Sequence, residues 1–325
     1  MDVLSDVIAV TRTGTPRSAL VRWHAPWGQR FASVPGAAGF QVVLEGSCWL
    51  LRPDDAPLRL SAGDVVFFPQ GGAHTLVDSL ATRADDPPCD PGDPRPGDRY
   101  STATVDPTGA NGPPTTLLCG AYRLDPARGH PLLRGLPAVI HLPARVELLA
   151  IVKLLAAEIA DPRHGSDAVR PPLLDILLLY ILRAWFGSGP ARDAVTGWAA
   201  ALNDPPVAAA LRAVHRDPAA PWTVASLAAQ GALSRAPFAR RFTELVGRPP
   251  LAYLTWWRMT TAAGHLRASD EPLRTVAAAV GYHSEFAFAT AFKREFGIAP
   301  GRFRAGERGS SRAGTADLAA EIARD

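Results

Sequence analysis

The sequence predicts an α+β protein, in which an N-terminal β-barrel is followed by helices and then by an all-α domain with two helix-turn-helix units joined by a long helix. Three observations predict this fold. Short apolar runs separated by turn residues fill the first third of the chain, longer apolar runs with helical spacing follow, and one pattern of residues occurs twice near the C-terminus. The 325 residues, 47% of them hydrophobic, are enough for two domains that each bury a core.

The barrel is predicted from apolar runs between residues 18 and 80. These runs flank turn signals at 45–47 and 61–64, and short strands at this spacing are typical of a barrel or sandwich. Residues 83–115 are rich in Pro, Gly and Asp, which predicts a long surface loop. The predicted strands are 40–44, 48–51, 58–60 and 65–68, with 117–124 after the loop.

Two longer helices are predicted in the middle of the chain. The first, over 146–160, has one apolar side, and the second, over 173–186, is apolar nearly all round. A helix of the second kind is buried in a core or in a dimer interface. The Gly-Ser-Gly-Pro run at 187–190 breaks this helix and is a natural linker, and a further helix over 207–215 opens the last domain.

Positive charge is concentrated towards the C-terminus. Residues 200–304 contain 13 Lys and Arg against 7 Asp and Glu, whereas residues 1–199 contain 18 against 20. Such asymmetry is expected when one half of a protein faces phosphates, and it also occurs as an ordinary imbalance of solvated charge. The charge distribution alone therefore leaves both interpretations open.

The start of the chain, its longest apolar stretch and its cysteines together predict a cytoplasmic protein. The first residues lack the basic and apolar segments of a signal peptide, and the longest apolar stretch is interrupted by Asp175 and Arg183 and is too short for a membrane span. The three cysteines are odd in number and lack metal-type spacing, which fits a reducing compartment.

An internal repeat with a period of 50 residues carries the functional prediction. Each copy fits a helix, a tight turn and a second helix, and residues 250–268 between the copies fit one long helix. A stiff connector would hold the two second helices at a fixed separation. The matching pairs are Gly231 and Gly281, Ser234 and Ser284, Phe238 and Phe288, Phe242 and Phe292, Gly247 and Gly297, and Pro250 and Pro300.

The residues of the first copy explain its predicted shape. Thr223 is expected to cap a helix over 224–230, and Gly231 is expected to end it with a positive φ. Ser234 is expected to cap the next helix, in whose first turn Pro237 is tolerated. In the second copy Gly281 and Ser284 are expected to do the same, and the repeated phenylalanines are expected to be buried.

Residues 203–304 resemble the DNA-binding domain of AraC/XylS-type regulators. The resemblance rests on the runs 222–228, 247–254 and 280–285, on Arg240-Arg241-Phe242, and on 292–297 with Pro300 and Phe303-Arg304. It implies seven helices, two of which enter the major groove of DNA. It also implies that the following positions face bases or phosphates: Arg235, Ala236, Ala239 and Arg240 in the first unit, and His283, Glu285, Phe286 and Thr290 in the second. Lys293 and Arg294 are further candidates for DNA contact.

Each of these residues has an ordinary alternative. Arg235 and Arg240 could form surface ion pairs, and the two alanines can at most touch a thymine methyl. Glu285 could accept a hydrogen bond from a cytosine amine or serve as a surface or capping carboxylate. Four further cations could contact phosphates or nothing at all, namely Arg241, Lys293, Arg294 and Arg304.

The N-terminal part resembles a cupin. Residues 63–74 fit the motif G-x5-P-x-G-x2-H, which ends at His74, although Asp78 replaces the usual final Asn. The two histidines and the glutamate of the first cupin motif are absent, so no metal and no other cofactor is expected. His24 and His130 could nevertheless converge with His74 and Cys119. The resemblance is to a subgroup that includes reactive-chlorine-responsive regulators.

The cupin resemblance suggests where a signal would be received. Residues Cys48, His74, Cys119 and His130 are candidates for sensing a small effector or an oxidant. Free buried cysteines are commonly only small hydrophobic residues, and the acidic neighbours of Cys89 would lower its reactivity. The predicted domains are a cupin-like sensor at 1–143, a helical dimerisation and linker region at 144–199, a tandem helix-turn-helix domain at 200–306 and a disordered or helical tail at 307–325.

Together these features predict a sequence-specific transcription regulator that is not an enzyme. Its expected partners are double-stranded promoter DNA, a second copy of the chain bound through helices 146–160 and 173–186, a small effector, and RNA polymerase. An effector or an oxidation event in the barrel would change the dimer or free the DNA-binding domain. The alternative is a metal-dependent cupin enzyme with an accessory helical domain, which requires a complete set of metal ligands.

Overall fold

The structure is a computed structural model that describes residues 3–11, 16–53, 55–84, 89, 99–105, 112–123, 130–193 and 195–306. The chain divides into two compact units. One is formed by residues 7–194, and the other by residues 195–306 together with residues 3–6. Within the described ranges, no helix is both long enough and apolar enough to cross a membrane. The predicted tail at 307–325 lies outside the described residues.

The first unit is built on two sheets. In the described part of the chain, one sheet has six strands in the order β10-β6-β3-β9-β1-β8, and the other has four in the order β2-β7-β4-β5. This β-rich domain followed by helices confirms the predicted α+β fold. The strands are β1 (Arg17–His24), β2 (Gly28–Phe31), β3 (Ala37–Glu45), β4 (Ser47–Leu51), β5 (Leu58–Ser61), β6 (Val65–Phe68), β7 (His74–Val77), β8 (Tyr100–Val105), β9 (Pro114–Arg123) and β10 (Ile140–Leu142).

One part of the predicted surface loop is a strand. Over Tyr100–Val105 the chain pairs in parallel with β1, so the prediction of a loop over all of 83–115 was wrong there. It was also wrong at 114–115, where β9 begins. The side chains of β8 are half-buried or exposed, because it lies at the edge of the sheet. It therefore lacks the apolar alternation by which a strand is recognised in sequence. Residues 85–88, 90–98 and 106–111 of the predicted loop lie outside the described residues.

Alternate residues of β3 and β9 face opposite sides of the six-stranded sheet. Val43 and Leu117 are paired and lie in the apolar core with residues of the four-stranded sheet, and Gln41 and Cys119 are the next pair on the same face. On the other face, the hydroxyl of Tyr122 donates a 2.6 Å hydrogen bond to the carbonyl of Leu174, in a helix that follows the sheets. The helices thus cover one face, and the other lines the interior.

Two long helices complete the first unit. The prediction of 146–160 is confirmed by α3 (Val146–Ala160), but the prediction that the second helix starts at 173 was wrong, because α4 spans Ser166–Phe186. It continues through Pro171 and Pro172, which normally interrupt a helix. The Arg170 guanidinium donates two hydrogen bonds to the carbonyl of Glu158, at 2.8 and 3.0 Å. These bonds anchor the N-terminal part of α4 to the end of α3. The shorter helices are α1 (Val3–Thr11), α2 (Pro131–Arg134) and α5 (Gly189–Arg192).

The second unit is all helical. From residue 205 onward its described part has seven helices, the number that the sequence resemblance implies, and the predicted connector over 250–268 is confirmed as a single helix. With 19 residues this connector is about 28 Å long. The helices are α6 (Gly197–Asn203), α7 (Pro205–Arg216), α8 (Val224–Gln230), α9 (Arg235–Val246), α10 (Pro250–Ala268), α11 (Leu273–Ala279), α12 (Glu285–Phe296) and α13 (300–306).

A residue from the start of the chain belongs to this helical unit. Nδ1 of His215 in α7 is 3.1 Å from Oδ2 of Asp6, and its Nε2 is 2.6 Å from the hydroxyl of Tyr253 in α10. All three residues are buried. The second unit is therefore discontinuous in sequence, which no pattern in the sequence predicts.

Candidate nucleic-acid interface

The first helix-turn-helix unit consists of α8 and α9. Thr223 caps α8 as predicted, because its hydroxyl accepts a hydrogen bond from the backbone N–H of Ser226 at 3.0 Å. The hydroxyl of Ser226 in turn accepts a hydrogen bond from the backbone N–H of Thr223 at 2.8 Å. This reciprocal arrangement satisfies two backbone donors that a helix start leaves open. Leu227 and Ala228 are buried, so the inward face of α8 is also as predicted.

The prediction that Gly231 ends α8 with a positive φ was wrong. Its φ is −112°, and the positive φ of 55° belongs to the next residue, Ala232. Glycine is required at 231 for a different reason, since a Cβ atom there would lie 2.3 Å from the Cα of Pro206 in α7. The residue permits close packing of two helices rather than an unusual backbone angle.

The second unit, α11 and α12, has a turn that is one residue longer. Val280 ends α11 with the same backbone angles as Gly231, and Gly281 has a φ of 80°, which corresponds to Ala232. The two turns therefore match at a spacing of 49, whereas α9 and α12 match at 50. The extra residue in the turn precedes Ser284 and brings His283 to the exposed start of the second helix.

Ser234 and Ser284 are the N-cap residues of α9 and α12, but their side chains form different contacts. The hydroxyl of Ser284 accepts the backbone N–H of Ala287 at 3.3 Å, as predicted for a helix cap. Ser234 stands at the N-cap of α9 but its side chain forms no capping bond, so that prediction was wrong. The reason is Pro237, which takes the place of Ala287 in the first copy and has no N–H to donate.

The second helices of the two units are packed alike. Both have 12 residues, both end at a glycine in the left-handed region, and each buries two phenylalanines one turn apart. The ring centroids of Phe238 and Phe242 are 5.5 Å apart, and those of Phe288 and Phe292 are 5.7 Å apart, with the same interplanar angle of 54°. The repeat in sequence is thus a repeat in structure, which fixes the same outward face on both helices.

The outward face of α9 is basic. Arg235, Ala236 and Arg240 are exposed and Ala239 is half-buried, so these four positions lie on one accessible surface. The guanidinium of Arg240 is 4.0 Å from the carboxylate of Glu244, and both side chains are more than half exposed. An exposed pair of this kind is weak and can be exchanged for a phosphate or a base edge.

The outward face of α12 presents one large apolar ring among polar side chains at its start, and two cations near its end. Phe286 is 83% exposed, which is unusual for a phenylalanine, and His283, Glu285 and Thr290 are exposed beside it. The hydroxyl of Thr290 donates to the carbonyl of Phe286 at 2.9 Å. Lys293 and Arg294 are exposed in the last turn of the helix.

Two other arginines near this surface are held by protein groups. Arg241 forms an ion pair with the buried carboxylate of Asp204, which also caps α7 by accepting the N–H of Val207 at 3.1 Å. Arg304 donates to the carbonyl of Glu271 at 2.7 Å. Sequence reasoning missed Asp204, whose position before two prolines was a signal for a helix start.

Comparison with known proteins agrees with this geometry. A model of the cupin family matches residues 2–187, and a helix-turn-helix domain model matches residues 227–306. An AraC-like transcription regulator of Streptomyces antibioticus is 35% identical over 310 residues, which are 94% of this chain and 98% of that protein. The chain belongs to the AraC family. It is a DNA-binding transcription regulator with an N-terminal cupin domain.

Further relatives of this AraC-family regulator are similar over most of their length. RclR of Escherichia coli (strain K12), an RCS-specific transcriptional activator, is 27% identical over 298 residues, 90% of this chain and 86% of its own. Among solved structures, the DNA-binding domain of AdpA in complex with a target DNA is 33% identical to this chain. The match covers 33% of this chain and 96% of the AdpA chain, with a TM-score of 0.31. These relatives are regulators, and no finding favours the metal-dependent enzyme.

The cupin domain of the regulator contains a buried polar pair. The ring of His74 is stacked between Phe31 and Phe68, with centroid distances of 4.7 and 3.8 Å. Its Nδ1 is 3.0 Å from the carbonyl of Gly72, and its Nε2 is 3.4 Å from the amide nitrogen of Gln41. Burial lowers the pKa of His74 to about 4, so the ring is neutral at physiological pH. Within the described part of the chain, the amide oxygen of Gln41 has no hydrogen-bond partner.

Cys48 and Cys119 belong to the same apolar cluster as Phe31 and Phe68, the two rings that stack on His74. Cys48 is buried in β4, where burial raises the pKa of its thiol to about 12, and burial also raises the pKa of Cys119 in β9. Both are therefore thiols rather than reactive thiolates at neutral pH. Cys89 is exposed, and its backbone pairs with β2 through hydrogen bonds to Arg30 and Ala32.

His130 has a structural role at the start of α2. It is fully buried at the N-cap, where its Nδ1 accepts the backbone N–H of Leu132 at 3.0 Å. In the described residues no group of three His, Cys, Asp or Glu side chains is placed to hold a metal ion. The convergence of His24, His130 and Cys119 on His74 would have formed such a group, and the described side chains do not form it.

Proposed function

We propose that the regulator recognises a specific promoter sequence by inserting α9 and α12 into two successive major grooves of double-stranded DNA. The observation that carries this proposal is the pair of equally packed second helices whose outward faces are exposed. Successive major grooves on one side of B-DNA are about 34 Å apart. The connector α10, about 28 Å long, is of the right size to hold α9 and α12 at such a separation. In this proposal α9 and α12 are the recognition helices, called the reading helices below.

Arg240 is the residue whose loss should affect recognition most clearly on α9. Its side chain is 75% exposed and is long enough to reach a guanine edge, to which arginine donates two hydrogen bonds. Replacing Arg240 with alanine should weaken binding to the selected DNA site by about 1–3 kcal/mol and relax the preference at one base pair. Selection of bound sites from a random DNA pool, followed by binding titrations, measures both effects.

Arg241 provides the matched control on the same helix. Because its guanidinium pairs with buried Asp204, the variant Arg241→Ala should lower the stability of the helical unit and leave the selected base sequence unchanged. If Arg240→Ala leaves both affinity and base preference unaltered, the assignment of Arg240 to a base contact is wrong. The same outcome for Arg235→Ala as well would remove α9 as a reading helix.

Dimerisation through α3 and α4 is part of the proposal. Val146 and Leu154 on α3 are 81% and 50% exposed, and Ile176 on α4 is 41% exposed. These exposed apolar side chains could be covered by a second copy of the chain. The double variant Leu154→Asp, Ile176→Asp should shift the chain to monomer in size-exclusion chromatography with light scattering. A wild-type chain that is monomeric at all concentrations would exclude this arrangement.

A small effector in the cupin domain would supply the regulatory signal. The unpartnered amide oxygen of Gln41, buried beside His74, supports a ligand with a hydrogen-bond donor better than it supports oxidation of Cys48 or Cys119, whose thiols are protonated. RNA polymerase is the further proposed partner, because a regulator bound beside a promoter lies within its reach. Cytoplasmic location follows from the same proposal, since promoter DNA is there.

A further inference from the structure

The two reading helices offer DNA different chemistry. On α9 the exposed positions include two guanidinium groups, Arg235 and Arg240. On α12 the corresponding positions are Glu285 and Thr290, and the largest exposed side chain is the phenyl ring of Phe286. No arginine, asparagine or glutamine lies in the first two turns of α12, so this helix lacks the usual bidentate donors for guanine or adenine.

Packing does not account for Phe286. The core of the unit already contains Phe288 and Phe292 from the same helix, both fully buried, together with Phe303 of α13. Phe286 is 83% exposed at the helix start. Covering so large an apolar side chain would contribute favourably to the binding of a partner.

The neighbouring side chains limit what that partner can be. The hydroxyl of Thr290 already donates to the carbonyl of Phe286, and the hydroxyl of Ser284 is engaged by the N–H of Ala287. His283 and Glu285 are the other exposed polar residues at this helix start, and the phenyl ring of Phe286 is its one large apolar group. In the major groove, the one apolar group presented by a base edge is the 5-methyl group of thymine.

We infer that Phe286 is a specificity-determining residue that covers a thymine methyl group. The site of the regulator then has two chemically different parts, with guanine under α9 and thymine under α12. This inference rests on the proposed function, namely that both helices enter the major groove. It adds the base that α12 prefers and the residue responsible.

The test uses deoxyuridine, which pairs like thymine but lacks the methyl group. A site is first selected with the full-length chain, and each thymine in it is then replaced singly by deoxyuridine. For at least one thymine, wild-type binding should weaken about three- to tenfold. The variant Phe286→Ala should bind that site more weakly and distinguish thymine from deoxyuridine there by less than about twofold.

Two further variants make the result specific. Phe286→Leu keeps an apolar side chain and should retain most of the discrimination, whereas Arg240→Ala should keep it fully and lose preference at a guanine instead. Far-UV circular dichroism of Phe286→Ala should match the wild type, because the exposed ring contributes little to folding.

The possible failures are distinguishable. A chain that selects no DNA sequence overturns the proposed function. A chain that selects a site but tolerates deoxyuridine at every thymine overturns the inference about Phe286 and leaves the proposed function intact. Equal discrimination by wild type and Phe286→Ala also overturns the inference, since another residue would then contact the methyl group.

Discussion

Replacing Phe288 with alanine is expected to lower the free energy of unfolding of the helical unit by about 3–5 kcal/mol. Phe288 is fully buried, packs against Phe292 at a centroid distance of 5.7 Å and contacts Tyr282 edge-on. Its removal leaves a cavity in a core that holds α12 in place. Urea denaturation followed by far-UV circular dichroism measures the loss, and DNA binding should fall with it.

Phe286→Ala is the matched control, two residues away on the same helix. Because this ring is 83% exposed, its loss should change the free energy of unfolding by less than about 0.5 kcal/mol. The two variants remove the same atoms from the same helix and differ only in burial. Equal stability of Phe288→Ala and Phe286→Ala would contradict the assignment of the inward and outward faces of α12.

Acid is expected to destabilise the cupin domain through His74. The pKa of His74 is lowered from 6.5 to about 4 by burial, so the unfolded chain takes up a proton at a higher pH than the folded domain does. Stability from this residue is therefore present above about pH 6.5 and is lost as the pH falls towards 4. Between about pH 7 and about pH 5 the loss should be about 2 kcal/mol.

The measurement is urea denaturation at several pH values for the wild type and for His74→Gln, which is neutral throughout this range. The variant should show a pH dependence that is flatter by about the same 2 kcal/mol. His164→Gln, at an exposed position of the same unit, controls for the removal of an ordinary histidine. A pH dependence that is equal for the wild type and His74→Gln would show that His74 is not buried in its neutral form.

The repeated units could be predicted from sequence because local patterns determine them. The spacing of Phe238, Phe242, Phe288 and Phe292 and the glycines after each helix give α9 and α12 their bounds, and the apolar spacing of 250–268 gives the connector. The turn of the first unit could not be predicted correctly. A glycine required for close approach, such as Gly231 against Pro206, looks the same in sequence as one required for a positive φ.

Contacts between distant parts of the chain explain the other differences. The start of α4 depends on Arg170 bound to the carbonyl of Glu158, and Arg241 forms an ion pair with Asp204, which precedes α7. Asp6 and His215 are separated by 209 residues. Local propensity contains no information on such pairs, so the predicted bounds of α4 and the role of Arg241 required the structure.

With both helices in the major groove, as proposed, the difference between α9 and α12 gives the DNA site a polarity. Since the first helix presents arginines and the second a phenyl ring, one chain binds its asymmetric site in a single orientation. Two chains bound head to tail would preserve that polarity, whereas two chains related by a two-fold axis would produce an inverted repeat. The layout of the half-sites in selected DNA therefore reveals the symmetry with which the regulator assembles on its promoter.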